Sequence, residues 1–593
     1  MSHTFHIPVL GLGYSIDTPL KVARYGISST LSIVDDELIE RMRAYHLSEN
    51  GQHYSPIPKT EADYRSKRIT AYLNFIDQNI NSQFEQLKQS RFIPGSEICK
   101  YFELLPESSP LKHGYELMME YPEGESKRIF QDVLRKAMKI GAADVNIMAK
   151  VDKMNFVNAT YTGDENTDAL AAFRGFANST LNAAVILSAG MNPRLYSYIE
   201  HFSDFLPDDD AHFKKKIILK VSDFRSAAIQ AKFLAKKGVW VSEFRIESGL
   251  NCGGHAFATE GYLLGPILEE FKTKRTQLVD ELFTAYQSVL SLKGINLHQK
   301  PDQSVSVQGG IGTAEEQNFL LNHYQLSTTG WGSPFLLVPE VTNVDQRTLD
   351  YLAAAKEEDF YLSNSSPLGV RFNNFKNSTS DVQRRERIDK GRPGSACTKK
   401  YLCNNTEFTI EPICTASREY QHLKIKQLQS AELSLAEYES ELNKVTEKVC
   451  LCEGLCASAY LKCDIIKPKE SKAVSICPGP NLAYFNNSYT LGDMVGHIYG
   501  KTNLLANTNR PHVFINELNL YIDYLQAEIK DQLLHFNDKK RKQLANFKKQ
   551  LNEGITYYKN LFAQAPDLKL PNLSACFNLL EISQLKLNQL SII

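Results

Sequence analysis

Several features that would assign the chain to a particular class of protein are missing from its sequence. Its 593 residues include 67 Lys and Arg against 68 Asp and Glu, so no excess charge favours nucleic acid or an acidic membrane as a partner. No apolar run reaches the roughly 18 residues that a membrane-spanning helix needs, and the first residues lack a basic stretch followed by an apolar core. We therefore expect a cytoplasmic protein with a small-molecule substrate, and neither nucleic acid nor a membrane as a partner.

Cysteine is scarce outside one region, since eight of the 11 cysteines lie between residues 397 and 477. In a reducing compartment such clustering indicates metal binding or catalysis before disulfides. The paired C-x₂-C spacing of zinc ribbons is absent, but thiols this close in sequence are able to wrap an iron–sulfur cluster or a zinc ion. Plain buried thiols are the alternative. The candidate metal ligands are Cys397, Cys403, Cys414, Cys450, Cys452 and Cys456.

Short apolar segments alternate with helical patterns along the first 375 residues, which predicts parallel strands buried on both faces. The predicted strands are Ile7–Leu12, Ser29–Val34, Ala143–Ala149, Ala183–Leu187, Lys216–Val221, Val239–Ile246, Val305–Val307 and Leu326–Gly330. Eight such strands favour an α/β fold of the (β/α)₈ type, a TIM barrel, over an open sheet.

Three further regions are predicted to be added to this barrel (residues 1–375). Apolar residues recur at helical spacing over about residues 36–141, which predicts a helical insertion between the second and third strands. Residues 376–505 form a Cys-rich segment. In residues 506–593 two apolar stripes flank a polar hinge, His535–Arg541, which predicts a helical hairpin. We expect this hairpin to pack on the barrel or to join two copies of the chain as a homodimer.

In barrels of this kind the chemistry lies at the carboxyl ends of the strands. The residues that fall there or next to it are Gly11, Gly13, Asn146, Ser188, Lys220, Gly253, Gly254, His255, Gly309 and Gly310. Glycines ahead of His255 let the backbone approach a ligand closely. Gly309 and Gly310 precede a helix that begins near Thr313, and glycines before a helix N-terminus predict an anion site. Ordinary tight turns and a buried histidine that bonds a backbone carbonyl are the structural alternatives.

Three motifs in this order resemble the flavin (β/α)₈-barrel oxidoreductases of the nitronate monooxygenase and enoyl-reductase type. That family has a Glu-x-x-x-Ala-Gly-Gly-His loop, a Gly-Gly-Ile corner and a Gly-Thr-x-Phe-Leu corner; the corresponding stretches here are Glu247–His255, Gly309–Ile311 and Gly332–Leu336. Val145–Ile147 is similar to the family's Val-Asn-Leu strand. Asp359–Asn374 is similar to the segment after the barrel in the enoyl reductases of polyunsaturated fatty-acid synthases. The chain departs from the pattern at Ser333, in place of Thr, and after His255, where Ala256 and Phe257 follow.

The resemblance implies an FMN-dependent oxidoreductase in which a hydride passes through the flavin, with NAD(P)H as an electron donor. It implies that Gly309, Gly310, Gly332 and Ser333 cradle the FMN phosphate and that His255 faces the flavin and moves a proton. Beside such a flavin, Lys220 would stabilise the electron-rich N1–C2 end, and a solvated lysine after the Lys214–Lys216 run is the alternative. Asn146 would hold the pyrimidine edge of the flavin or, alternatively, satisfy loop backbone. The full set expected to bind the cofactor is Gly11, Gly13, Asn146, Ser188, Lys220, Gly253, Gly254, Gly309, Gly310, Gly332 and Ser333.

Other functions are compatible with the same residues. A flavin-free barrel enzyme would use Gly309–Gly312 to hold a substrate phosphate, and a non-catalytic scaffold would use the Cys-rich segment and the hairpin as docking surfaces. A flavin enzyme that modifies RNA is less favoured because the chain has no basic footprint. No motif indicates the substrate.

Overall fold

The computed structural model describes residues 2–157, 160–532, 537–564 and 573–592. Eight parallel strands close into a barrel in which each strand pairs with the next and β8 pairs with β1. The strands are β1 Phe5–Ile7, β2 Ser28–Ser32, β3 Ala143–Met148, β4 Ala184–Ser188, β5 Lys216–Val221, β6 Val241–Glu247, β7 Ser304–Gln308 and β8 Thr328–Gly330. The predicted (β/α)₈ fold is confirmed.

The predicted bounds of the first strand are wrong by five residues, whereas those of the other seven strands differ from the structure by two residues or fewer. It was expected at Ile7–Leu12, but β1 pairs with β2 and β8 only through Phe5, His6 and Ile7. Pro8 follows at once, and proline has no N–H with which to continue a ladder. The stretch from Pro8 to Leu12 is therefore loop at the carboxyl end of the barrel, where it lines the main cavity.

The helical insertion between β2 and β3 is confirmed. Its helices are α2 Asp36–Glu49, α3 Tyr64–Gln89, α4 Glu97–Glu103, α5 Pro110–Glu120 and α6 Glu125–Ala137. The predicted apolar stripe of α3 is buried, including Ile69, Leu73 and Ile76. Gly175 lets the backbone of helix α7 (Asp168–Ala177) approach this stripe, because a Cβ there would lie 2.7 Å from the Ile69 side chain. The insertion thus packs firmly on the barrel's outer layer.

The remaining helices of the barrel surround the strands. They are α1 Thr18–Val22, α7 Asp168–Ala177, α8 Pro193–Tyr198, α9 Phe224–Ala235, α10 Leu264–Leu292, α11 Ala314–His323 and α12 Gln346–Ala353. Short 3₁₀ helices occupy Ala23–Tyr25, Asp164–Asn166, Ile199–His201, Ser203–Phe205, Ser333–Leu337 and Glu357–Asp359. A two-stranded ribbon joins Phe156–Val157 to Thr160–Tyr161.

The chain after the barrel folds over its carboxyl face. It begins with a hairpin of β9 Phe360–Ser363 and β10 Phe372–Phe375. The elements that follow are α13 Thr379–Asp389, α14 Arg418–Gln429, α15 Leu435–Thr446, α16 Leu451–Lys462, the 3₁₀ helix Pro480–Tyr484 and α17 Leu491–Ile498. Helix α16 contacts the first barrel loop, where the Gly13 N–H donates to Leu455 O at 3.0 Å. The Cys-rich segment is therefore part of the wall around the barrel mouth.

Three helices close the chain: α18 Val513–Gln532, α19 Asp538–Gln564 and α20 Leu573–Gln589. The first two form the predicted hairpin, and α20 is a third member that the apolar stripes did not predict. Residues 535 and 536 of the predicted hinge lie outside the described part of the chain. Ile515, Leu518 and Leu525 of the first stripe are fully buried within this one chain. Within the described ranges no helix is both long and apolar enough to cross a membrane.

Candidate functional site

A cavity of about 400 Å³ opens at the carboxyl ends of the barrel strands. It brings together residues that are as far apart in sequence as Gly11 and Ser333. The predicted site residues that line it are Gly11, Asn146, Ser188, Lys220, Gly253, Gly254, His255, Gly309, Gly310, Gly332 and Ser333. Gly13 is not in the lining. An added Cβ on Gly13 would lie 3.2 Å from Cys456 Cα, so this glycine serves the packing of α16 instead.

Two glycines after β7 adopt conformations that other residues rarely take. Gly309 and Gly310 have φ of 110° and 76°, in the region that favours glycine. A Cβ on Gly310 would collide with the side chain of Asn251, and a Cβ on Gly309 would lie 2.5 Å from Cys252 Sγ. Asn251 is almost fully buried, and neither its Nδ2 nor its Oδ1 has a partner among the described residues. The corner after β7 is thus packed against the loop after β6 that holds Asn251 and Cys252.

The helix N-terminus beyond these glycines is already occupied by a carboxylate of the chain. Glu316 Oε2 accepts the Gly312 N–H at 2.8 Å, while Oε1 accepts from Arg510 Nη1 and from the Val513 N–H, both at 2.7 Å. Burial is the largest effect and disfavours the charge of Glu316, but the charge of Arg510 and the hydrogen bonds to the carboxylate together outweigh it and hold the pKa of this carboxyl below its usual range. The expected anion site is therefore limited to Gly309 and Gly310, because Gly312 is no longer a free donor.

The floor of the cavity is polar, and some of its hydrogen-bonding atoms have no partner among the described residues. Lys220 Nζ lies 2.8 Å from Glu247 Oε2, and Gln308 Nε2 donates to Glu247 Oε1 at 2.7 Å. Lys220 therefore does not face the cavity as a free cation. Asn146 Oδ1 and Gln308 Oε1 are buried without a hydrogen-bond partner in the described part of the chain. Such atoms are costly unless a ligand or water satisfies them, so the floor is prepared for a ligand with N–H donors.

His255 stands on the wall of the cavity as a neutral imidazole. Burial, with a smaller effect of the Lys220 charge, lowers its pKa from 6.5 to about 4. Its Nε2 lies 2.7 Å from Ser366 Oγ. The centroids of its ring and the Phe372 ring are 4.9 Å apart in an edge-to-face arrangement. The partner of His255 Nε2 is therefore a side-chain hydroxyl and not the backbone carbonyl of the alternative interpretation. Ser366 and Phe372 belong to the segment after the barrel, and no local pattern marked either as a neighbour of His255.

The roof of the cavity comes from the Cys-rich segment. Leu455 of α16 and Ile476 line it with apolar surface. Cys477 O accepts the Gly254 N–H at 3.0 Å, and the Gly479 N–H donates to Ser333 Oγ at 2.8 Å. The Ser333 hydroxyl keeps its own hydrogen, which is free to donate to a ligand. Asn481 also borders the cavity, and its position could not be read from the turn-like sequence around it.

The six candidate metal ligands do not form a single group. Cys397 Sγ lies 3.9 Å from Cys403 Sγ, and Cys414 packs beside them in a small cluster. Cys456 instead donates to Asp35 Oδ2 at 3.2 Å, because α16 turns this residue toward the start of α2. All eleven cysteines are free thiols. Across the described ranges no group of three or more His, Cys, Asp or Glu side chains is placed to hold a metal ion.

The chain is similar in sequence to few known proteins. No family model matches the chain, and no curated protein matches it. Among solved structures, the enoyl reductase domain of MlnA from the macrolactin biosynthesis cluster of Bacillus amyloliquefaciens is 14% identical, with a TM-score of 0.32 over 71% of this chain and 88% of that one. A variant of FabK from Thermotoga maritima is 10% identical, with a TM-score of 0.29 over 63% of this chain and 80% of that one.

Proposed function

We propose that the protein is an FMN-dependent oxidoreductase that binds its cofactor in the barrel-mouth cavity. The observation that carries the proposal is one cavity with a glycine corner after β7 at one end and unpaired amide oxygens on its floor. In (β/α)₈ barrels the loops after the last two strands are a frequent phosphate site, and both of those loops border this cavity. The expected electron donor is NAD(P)H.

The residues present fit FMN. A volume of about 400 Å³ lies within the range of about 300–1,000 Å³ that is usual for ligand pockets. Gly309 and Gly310 line the cavity, where their backbone would face the phosphate, with the hydroxyl of Ser333 as a further donor. Asn146 and Gln308 supply the acceptors that the N–H group of a pyrimidine edge requires. FMN, when bound, would supply the hydride-transfer chemistry. The residues of the chain would position the cofactor and move the proton.

His255 is the residue to which we assign the movement of a proton. Its pKa of about 4 keeps the imidazole neutral near pH 7, so a single ring proton is available. Ser366 Oγ accepts from the Leu368 N–H at 3.2 Å, and its own hydrogen is in position to donate to His255 Nε2. This arrangement would hold the ring proton on Nδ1, from which it can be exchanged with a bound substrate.

The first test is the visible spectrum of protein purified without oxygen, with the released cofactor quantified. We expect a flavin spectrum and about one FMN per chain. A colourless protein whose spectrum stays flat after FMN is added would overturn the proposal. A flavin-free barrel enzyme that holds a substrate phosphate at the same glycines would then be the better description. Iron, sulfide and zinc measured in the same sample test whether the cysteines bind an iron–sulfur cluster or zinc.

The second test is His255→Ala. We expect the variant to keep its FMN and to turn over about 10²–10⁴ times more slowly, because the proton carrier is lost. The assay follows NADH or NADPH oxidation with whichever quinone or α,β-unsaturated thioester the wild type accepts. Ser366→Ala is the comparison variant: it removes the partner of Nε2 but leaves the imidazole, so we expect a smaller loss of turnover than in His255→Ala. Turnover that is the same in His255→Ala and in the wild type would remove this residue from the mechanism.

A homodimer through the C-terminal helices remains a proposal about assembly. Ile515, Leu518 and Leu525 of the α18 stripe are buried within the chain, so a second copy would have to use another face. Helix α20 offers Ile582 and Leu585, which are 49% and 62% exposed. Sedimentation equilibrium of the wild type and of Leu585→Glu tests this: a dimer that persists in the variant places the contact elsewhere.

A further inference from the structure

A carboxyl group of the C-terminal helix α18 is buried directly behind the wall of the cavity. Glu517 is 1% exposed. Its Oε1 lies 2.5 Å from Ser248 Oγ, and its Oε2 accepts the Leu264 N–H at 2.8 Å. Ser248 itself lines the cavity, beside Gly309, where an added Cβ would lie 3.0 Å from Ser248 Cβ. Glu517 therefore touches the site through one hydroxyl, although it is 269 residues away from it in sequence.

No positive charge in the described part of the chain compensates this carboxyl. Its hydrogen-bonding neighbours are Ser248 and the Leu264 N–H, and the ionisable groups around it are Cys252, Tyr521 and Tyr558, none of which is a cation. Burial raises the pKa of Glu517 from 4.5 to about 7, against the opposing effect of its two hydrogen bonds. A buried carboxyl without a cation keeps its proton rather than carry an unpaired charge.

The hydrogen bonds around Glu517 determine which carboxyl oxygen carries the proton and to which atom that proton is donated. Oε2 already accepts from the Leu264 N–H, so the proton of the neutral acid belongs on Oε1, facing Ser248 Oγ. Ser248 Oγ also accepts from the Asn251 N–H at 3.3 Å. With both acceptor positions of the hydroxyl used, its own hydrogen has to point elsewhere, and the open side is the cavity.

We propose that Glu517 is a positioning residue that, while protonated, turns the Ser248 hydroxyl into a hydrogen-bond donor to the phosphate end of the bound cofactor. When Glu517 ionises, the Ser248 hydrogen rotates to the new carboxylate, and the cavity loses the donor. The inference rests on the proposed FMN site. It assigns a role in ligand binding to the C-terminal helices, which would otherwise be a structural addition to the barrel.

The direction of the pH effect follows from the raised pKa. Between the usual pKa of a glutamate and the raised pKa of about 7, the folded protein holds a proton that the unfolded chain has lost. Stability contributed by Glu517 is therefore greatest at low pH and is lost as pH rises through this interval. Affinity for a ligand that needs the Ser248 donor should fall in the same direction, by about threefold to tenfold for one hydrogen bond.

The test measures the FMN dissociation constant by quenching of flavin fluorescence at about pH 5.5 and about pH 8.5, on either side of the carboxyl's titration. Glu517→Gln is the key variant, because its amide donates to Ser248 at every pH as the neutral acid does. Ser248→Ala removes the donor altogether. Asp523→Asn makes the same chemical change at an exposed position of α18 and is the matched control. The FMN phosphate titrates near pH 6, but it does so equally in all four proteins.

We expect the wild type and Asp523→Asn to bind FMN about threefold to tenfold more weakly at the higher pH than the phosphate alone explains. In Glu517→Gln and Ser248→Ala this additional change should be absent, with Glu517→Gln tight and Ser248→Ala weak at both values. The same additional change in Glu517→Gln as in the wild type would overturn the inference while leaving the FMN site intact. Failure of the wild type to bind FMN at either pH would overturn both.

Discussion

Replacement of Gly310 by alanine is expected to lower the affinity for FMN by about 100-fold or more, which is about 2.7 kcal/mol of binding free energy. Gly310 has φ of 76°, where a residue with a Cβ is strained by about 1–3 kcal/mol. The new methyl group would also meet the buried amide of Asn251. Both effects push the corner after β7 out of the shape in which its backbone faces the cavity, so the proposed phosphate cradle is lost.

Gly332→Ala is the matched control for this experiment. Gly332 borders the same cavity and was predicted to serve the same phosphate, but its φ is −101°. The nearest atom to its added Cβ is a Leu10 methyl at 3.5 Å, an ordinary contact distance. We expect a change in FMN affinity of less than about threefold. Equal losses in the two alanine variants would show that the conformation of Gly310 is not what makes the cradle.

Removal of the charge of Arg510 is expected to cost about 3–5 kcal/mol of the free energy of unfolding. The Arg510 and Glu316 side chains are 4% and 3% exposed. Arg510→Met would leave the Glu316 carboxylate buried without its cation, although the Gly312 and Val513 N–H groups would still donate to it. Arg510 Nη2 also donates to Gly310 O at 2.5 Å, so FMN should be lost together with stability. Denaturant unfolding and FMN content measure the two effects.

Two further variants separate the ion pair from its surroundings. Arg510→Met combined with Glu316→Leu removes both charges and should recover a large part of the lost stability, since an unpaired buried charge costs more than an absent pair. Arg194→Met breaks an ion pair with Asp164 whose side chains are 41% and 64% exposed, and we expect almost no loss of stability because solvent screens such a pair. A loss in Arg510→Met as small as that in Arg194→Met would mean that the buried pair does not brace the β7 corner.

The wild-type pair also gives a pH dependence of known sign. Because Arg510 depresses the pKa of Glu316 below that of an unfolded glutamate, its contribution is fully present above the unfolded pKa of about 4.5 and is lost as pH falls through the folded value. The stability of the wild type should therefore decline in acid more steeply than that of Arg510→Met. Parallel acid profiles for the two proteins would be evidence against this ion pair.

Much of the fold and of the cavity lining could be predicted from the sequence alone, because the signals involved are local. Alternation of apolar strands with helices is readable at each segment, and eight of them imply a closed barrel whose strand ends share one face. That topology alone brings residues such as Asn146, His255 and Gly310 to one cavity. The bounds of the first strand were predicted less well, since the apolar run IPVLGL continues past Pro8, where the ladder cannot.

Contacts between distant parts of the chain were decided only by the tertiary structure. Glu316 takes the Gly312 N–H and pairs with Arg510, which lies 194 residues away, and Glu517 reaches Ser248 from the last helices. The six cysteines looked alike by spacing, yet α16 directs Cys456 to Asp35 and away from Cys397 and Cys403. The sequence by itself determined which backbone elements form and where glycine is needed. Long-range packing decided which side chains pair with buried charges and which residues cover the cavity. Such contacts leave no periodic or local pattern in the sequence.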